Sequence, residues 1–258
     1  MELFDTHFHW YGKPEPEVII LEASENEVKY LLNSGWNLES STAASQFAES
    51  FENCWFSAGV HPHNASDFNF DFTPFKDLSK QEKCKAIGEV GLDYFYENSD
   101  KKSQLKVFEK FTEFALATDQ PLVIHCRDKD DKFDTYNETY NIISDFVKNN
   151  GTFAIHCYTG NGHWLEKFLE LGGYIGITGI ITFPKASNIR DIIHLIPNNR
   201  LLLETDSPYL APKPHRGKTN FPKYLPEVAK AVAKEKEIPI DNLAEFTTKN
   251  AFTFFKIS

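Results

Sequence analysis

Positive charge is in short supply in this chain: 27 Lys and Arg stand against 37 Asp and Glu, for a formal net charge of -10. A molecule with that balance has no general attraction for polyanions, so a long duplex footprint is not expected. Any contact with nucleic acid would depend on local cations and bound metal. Cysteine is sparse as well. Cys54, Cys84, Cys126 and Cys157 make no C-x-x-C pair and no apolar leader precedes Leu3, so a disulfide framework and a secretory route are not expected, and a cytoplasmic location is. No apolar run approaches the roughly 20 residues that span a bilayer, so no membrane segment is expected. Linkers, low-complexity tracts and internal repeats are also missing, and nothing points to an obligate protein partner.

What is present is ordinary globular material, 41% hydrophobic and 25% charged over 258 residues, enough for a substantial core in one domain spanning residues 1–258. Short apolar or β-branched runs fall at residues 3–4, 36–38, 55–60, 85–87, 122–124, 152–155, 173–177 and 201–203. Helical spacing fills most of the intervals between them. In residues 103–118, for example, Leu105, Phe108, Phe111, Thr112 and Ala115 share one face. Alternation of this kind implies parallel strands joined by helical crossovers. Eight repeats in this length favour a closed α/β TIM (β/α)8 barrel over an open doubly wound sheet. Residues 225–236 and 241–255 add helices at the C-terminal end, and residues 67–83 read as a surface excursion with at most a short helix.

The chemistry-bearing residues collect at strand ends. His7 and His9 flank Phe8 directly after the first strand, so both can reach one metal ion from the same side of an extended backbone. An H-x-H pair alone carries little weight, because two hydrogen-bonded histidines explain it equally well. Its weight comes from recurrence. Glu89, in GEVGLD, His125, at the end of PLVIH, His156, at the end of TFAIH, and Asp206, after LLLET, each stand at or just beyond an apolar run. Catalytic groups of a barrel come from the C-terminal ends of its strands. A salt bridge would account for Glu89, a core hydrogen bond for either histidine, and an Asx turn for Asp206, but no single such account covers all six. Four imidazoles and two carboxylates together suit two divalent cations with one carboxylate shared.

The chain resembles the TatD-type metal-dependent hydrolases, best known as deoxyribonucleases. The resemblance rests on DTHFH at residues 5–9, GVHPH at 59–63, GEVGLDY at 88–94, PLVIHCRD at 121–128, HCYTG at 156–160, LLLETDSPYLAP at 201–212 and PHRGKTN at 214–220. It implies that His7, His9, Glu89 and Asp206 hold one divalent ion, that Glu89, His125 and His156 hold a second, and that the ions are Mg, Mn or Zn. Glu89 would be the bridge. A water shared by the ions would be the nucleophile, and Asp206 the proton acceptor and later donor. Arg127, Arg216 and Lys218 are the candidates to grip a substrate phosphate, His63 is expected to touch substrate, and Tyr94 to stack on a base or bond a phosphate.

DNA with an accessible single-stranded end, or another phosphodiester, is therefore the expected substrate. An ester, lactone, amide or aminoacyl-nucleotide linkage is the alternative that the ligand set leaves open, and a noncatalytic metal-binding barrel would require a missing ligand. Two segments depart from the family pattern: residues 10–18 after the first strand, and Asn220, Phe221 and Pro222, where an acidic residue commonly follows the asparagine.

Overall fold

A computed structural model describes residues 1–129 and 132–258. Among the described residues eight strands alternate with helices. They are β1 Leu3–Phe8, β2 Val28–Ser34, β3 Cys54–Ala58, β4 Cys84–Asp93, β5 Leu122–Arg127, β6 Phe153–Ile155, β7 Tyr174–Ile177 and β8 Leu201–Leu203. The helices are α1 Pro16–Glu25, α2 Leu38–Glu49, α3 Thr73–Ser79, α4 Lys101–Thr118, α5 Asp134–Lys148, α6 Gly162–Glu170, α7 Ser187–Arg190, α8 Leu225–Glu235 and α9 Ile240–Phe254. Consecutive strands pair in parallel from β1 through β8. The ring closes where β1 meets the segment after β8: Asp206 N–H donates to His7 O at 2.9 Å, and His9 N–H to Ser207 O at 2.7 Å. This is the TIM-barrel architecture expected from the alternation.

One side chain from every strand fills the lower interior: Phe4, Leu32, Trp55, Ala86, Val123, Ala154, Tyr174 and Leu202. Phe254, Phe255 and Ala251 of the C-terminal segment plug that end. The alternate residues, such as Leu122, Ile124, Ile175, Leu201 and Leu203, pack outward in the layer shared with the helices. The period of two along a strand thus separates an inner from an outer core.

In two strands the alternation is broken, and both breaks serve the upper rim. Phe4 faces inward but Phe8 outward, with the β1 register slipping between Asp5 and Phe8, so His7 and His9 on either side of Phe8 turn inward. In β4 the register slips between Ile87 and Val90, both outward-facing, so that Glu89 and Asp93 turn inward. Such irregularities re-aim side chains at sites of function. Gly91 follows from the same bend. Its φ is +141°, and a Cβ there would lie 2.0 Å from His125 O.

One strand is not where the sequence pattern puts it. Residues 36–38 are the turn into α2, whose N-cap Asn37 accepts a hydrogen bond from Ser40 N–H at 2.8 Å. The true β2 lies earlier and carries half-buried Lys29 and Tyr30, which mask its strand character. The segment at 67–83 contains only the short α3, as expected.

Candidate metal centre

Seven strand-end or loop residues converge at the top of the barrel. Glu89 is buried at their middle and presents its two oxygens to different neighbours. Oε2 lies 3.4 Å from His7 Nε2 and 3.6 Å from His9 Nε2. Oε1 lies 2.7 Å from His125 Nδ1, 3.7 Å from His61 Nε2 and 3.9 Å from His156 Nε2. Asp206 Oδ1 stands 3.6 Å from both His9 Nε2 and His156 Nε2. The six residues expected as ligands are therefore brought together, although their grouping differs in one respect. His156 stacks on His7, with ring centroids 3.5 Å apart, and clusters with His7 and Asp206, while His125 clusters with Glu89 and His61.

Hydrogen bonds on the outer side of the imidazoles fix which nitrogen faces inward. His9 Nδ1 donates to Ser34 O at 2.8 Å, His125 Nε2 to Asp93 Oδ2 at 3.0 Å and His156 Nδ1 to Glu204 Oε2 at 2.9 Å. In each neutral ring the other nitrogen then turns a lone pair toward the cluster. An imidazole held by an outer acceptor is the usual arrangement of a metal ligand. The inward nitrogens crowd one another, with His7 Nε2 only 3.2 Å from His9 Nε2, and His7 Nδ1 is buried without a hydrogen-bond partner. Lone pairs and carboxylate oxygens packed this closely are the donor set a divalent cation requires, and the residues fit one.

His61 has the opposite polarity. Its Nδ1 accepts from His63 N–H at 3.1 Å, so in the neutral ring Nε2 carries the proton and points a donor at Glu89 and His125. Burial also holds its pKa well below the ordinary imidazole value. Geometry alone would count His61 among the ligands; the tautomer assigns it to hydrogen bonding.

Burial disfavours charge throughout, yet pairing overrides it at several groups. Glu89 stays well below the usual carboxylate range despite burial, because His61, His156, His125 and His7 surround it. Asp206 is also lowered against the effect of burial, chiefly by His156 and His9. His125 is raised to about 9, burial being outweighed by hydrogen bonds to Asp93 and Glu89. His156 is raised to about 10, burial again opposing, by Glu204, Glu89 and Asp206. His7 moves the other way, lowered by burial and by His156.

Several contributors were not singled out in the sequence. Asp93 holds both His125 and His63, each at 3.0 Å. Glu204 also accepts from Cys157 N–H at 2.9 Å, and Gly176 makes room for it, since a Cβ there would sit 2.2 Å from Glu204 Oε1. Asp5 accepts from Thr205 N–H at 2.8 Å and Thr205 Oγ1 at 2.5 Å, joining the ends of β1 and β8 and so setting Asp206 beside His9. Burial pushes the Asp5 carboxyl up to about 8, against those hydrogen bonds. All three carboxylates sit inside the motifs quoted above, and the alternation of β4 marks Asp93 as facing the same way as Glu89.

The expected substrate contacts fare differently. Tyr94 does not face the site: it is 1% exposed, its hydroxyl donates to Glu138, and Lys101 Nζ lies 4.0 Å above its ring. It belongs to the packing outside β4, one position out of phase with Asp93. His63 is committed to Asp93 rather than free for a ligand, although it remains partly exposed. Arg127 caps the rings of Phe95 and Tyr96 at 4.4 and 4.8 Å, at the rim. Arg216 lies over Phe183 at 3.8 Å in the exposed loop after β8, and Lys218 is exposed nearby.

Comparison with known proteins finds relatives that match nearly the whole chain. The family described as TatD related DNase matches residues 4–256. An uncharacterized metal-dependent hydrolase, YabD, of Bacillus subtilis is 33% identical over 99% of this chain and 100% of its own length. A 3'-5' ssDNA/RNA exonuclease, TatD, of Citrobacter rodentium is 32% identical over 93% of this chain and 91% of its own. The crystal structure of the TatD homolog YJJV of Escherichia coli superposes with a TM-score of 0.91 at 24% identity, covering 99% of this chain and 98% of that one.

Proposed function

The chain belongs to the TatD-related DNase family of metal-dependent hydrolases, and we propose that it hydrolyses phosphodiester bonds at single-stranded ends of DNA. The observation that carries this reading is Glu89, whose two oxygens serve two separate groups of imidazoles. That disposition suits two divalent ions, Mg, Mn or Zn, with His7, His9, Glu89, His125, His156 and Asp206 as the ligands. Bound there, such ions would acidify a water and neutralise charge on the phosphoryl group.

The protein's own groups supply the rest. Asp206 is ionised and lies at the edge of the cluster, so its Oδ1 can take the proton of the attacking water. As the phosphorus–oxygen bond breaks, the same carboxyl returns that proton to the departing ester oxygen. His61 Nε2–H and the outer acceptors Asp93 and Glu204 hold the cluster in register. Arg127, at the end of β5 two residues beyond His125, is a cation that would meet a flanking phosphate, while the acidic balance of the whole chain argues for a short, local grip. The exonuclease named among the relatives supports single-stranded substrate. Four free thiols suit a cytoplasmic location, and among the described residues no helix is long and apolar enough to cross a membrane.

The test is hydrolysis of a defined single-stranded oligonucleotide by metal-loaded protein, before and after chelation, with Glu89→Ala alongside. Activity that disappears on chelation, returns on adding metal and is missing from a folded Glu89→Ala protein agrees with the reading. Hydrolysis that survives chelation contradicts it.

A further inference from the structure

Resting on the phosphodiesterase reading, we propose that Tyr11, Trp36 and Tyr209 form a platform on which a nucleobase of the substrate stacks beside the hydrolytic centre. The three side chains come from loops after β1, β2 and β8 and meet at the rim. Tyr11 lies parallel to Trp36, with centroids 4.5 Å apart and planes at 23°. Its hydroxyl is 2.8 Å from that of Tyr209, whose ring stands edge-on to it at 86°. All three rings surround His9, with centroids 5.3 Å (Trp36), 6.4 Å (Tyr11) and 6.5 Å (Tyr209) from the imidazole.

Packing does not explain this group. Tyr11 is 51% exposed and Tyr209 53%, so about half of each residue's surface is left in water. Aromatic side chains ordinarily bury that area, and here Tyr11 and Tyr209 stay exposed while half-buried Trp36 holds Tyr11 in place. Their hydroxyl–hydroxyl bond and mutual stacking fix the rings, so ordering them on binding would cost little. Among the described residues no cation caps them, which suits a neutral planar group and not a phosphate. The other exposed aromatic pair at the rim, Phe95 and Tyr96, is different because Arg127 already covers both rings. A base on the open platform would place its sugar and phosphate next to His9 and Asp206. Stacking of this kind tolerates every base, and the loop that carries Tyr11 is one of the two segments that depart from the family pattern.

The experiment compares intact single-stranded oligonucleotides with ones carrying an abasic residue at each of the three terminal positions in turn, using metal-loaded wild type, Tyr11→Phe and Tyr11→Ala. At one position the wild-type KM rises about tenfold or more when the base is removed. Tyr11→Phe keeps that ratio, and Tyr11→Ala brings it close to one. Equal ratios in wild type and Tyr11→Ala at every position, with oligonucleotide hydrolysis intact, overturn the platform and leave the phosphodiesterase reading standing. If wild type hydrolyses no oligonucleotide, the phosphodiesterase reading fails, and binding decides the platform: oligonucleotide quenching of tryptophan fluorescence that is lost in Trp36→Phe supports it, and no quenching overturns it.

Discussion

His156 Nδ1 donates to Glu204 Oε2 at 2.9 Å, and this bond holds the opposite nitrogen of the ring toward Asp206. The carboxylate is seated by Cys157 N–H and by the space that Gly176 leaves. Glu204→Gln keeps the shape but weakens the acceptor that orients the imidazole. Loss of an outer partner of this sort typically lowers metal affinity by about 10- to 100-fold. Titration with Zn or Mn against a competing chelator should find a drop of that order, with circular dichroism unchanged; equal affinities would remove Glu204 from the account.

Protons and cations should compete at this centre. In the chelator-stripped protein His125 and His156 are raised from 6.5 to about 9 and about 10. A raised imidazole pKa stabilises the fold fully below its unfolded value and loses that contribution as pH climbs through the folded one. The thermal midpoint of stripped protein should therefore fall as pH is raised from about 6.5 to about 10, and metal should flatten the profile. Metal binding near neutral pH should release protons, because the ligating imidazoles must be neutral. Calorimetry in buffers of different ionisation enthalpy measures that release, and a result independent of buffer would contradict it.

The plug at the lower end of the barrel is a stability element remote from the chemistry. Phe254 is 3% exposed and packs on Tyr174 at a centroid distance of 5.0 Å. Phe254→Ala should cost about 3 to 5 kcal/mol of unfolding free energy, the usual range for deleting a buried ring. Denaturant titration reads the loss, while metal affinity of the surviving folded protein should stay near wild type. A cost under about 1 kcal/mol would show that α9 does not close the inner core.

Arg127 tests how the substrate is held. Its guanidinium sits over Phe95 and Tyr96 at the end of β5, two residues beyond His125. If it meets a phosphate, Arg127→Ala should raise KM for an oligonucleotide and reduce the dependence of log affinity on log salt by about one. An unchanged salt dependence would leave Arg127 as a cap on the two rings.

Much of this was legible in the primary structure because a strand's period of two is simple. An ionisable residue directly after an apolar run stands at a barrel rim, and His7, His9, Glu89, His125, His156 and Asp206 all carry that mark. The position of β2 was hidden because half-buried Lys29 and Tyr30 dilute the run, while Trp36 beside a capped turn imitates a strand. His61 and His63 could not be ranked by spacing alone. Their roles divide only when the turn at Pro62 lets His61 Nδ1 cap His63 N–H. Asp93 and Glu204 were unmarked because an acceptor acquires meaning from the imidazole it touches, and those partners lie 32 and 48 positions away. Tyr94 was misplaced for a local reason: one step along β4 from an inward Asp93, its ring faces the helices.

The most direct measurement of the central claim is anomalous X-ray diffraction from crystals of the protein loaded with Mn or Zn. The account predicts two anomalous peaks flanking the Glu89 carboxylate, one within coordination distance of His7 and His9, the other of His125. Peaks elsewhere, or none between these residues at full metal loading, would contradict it.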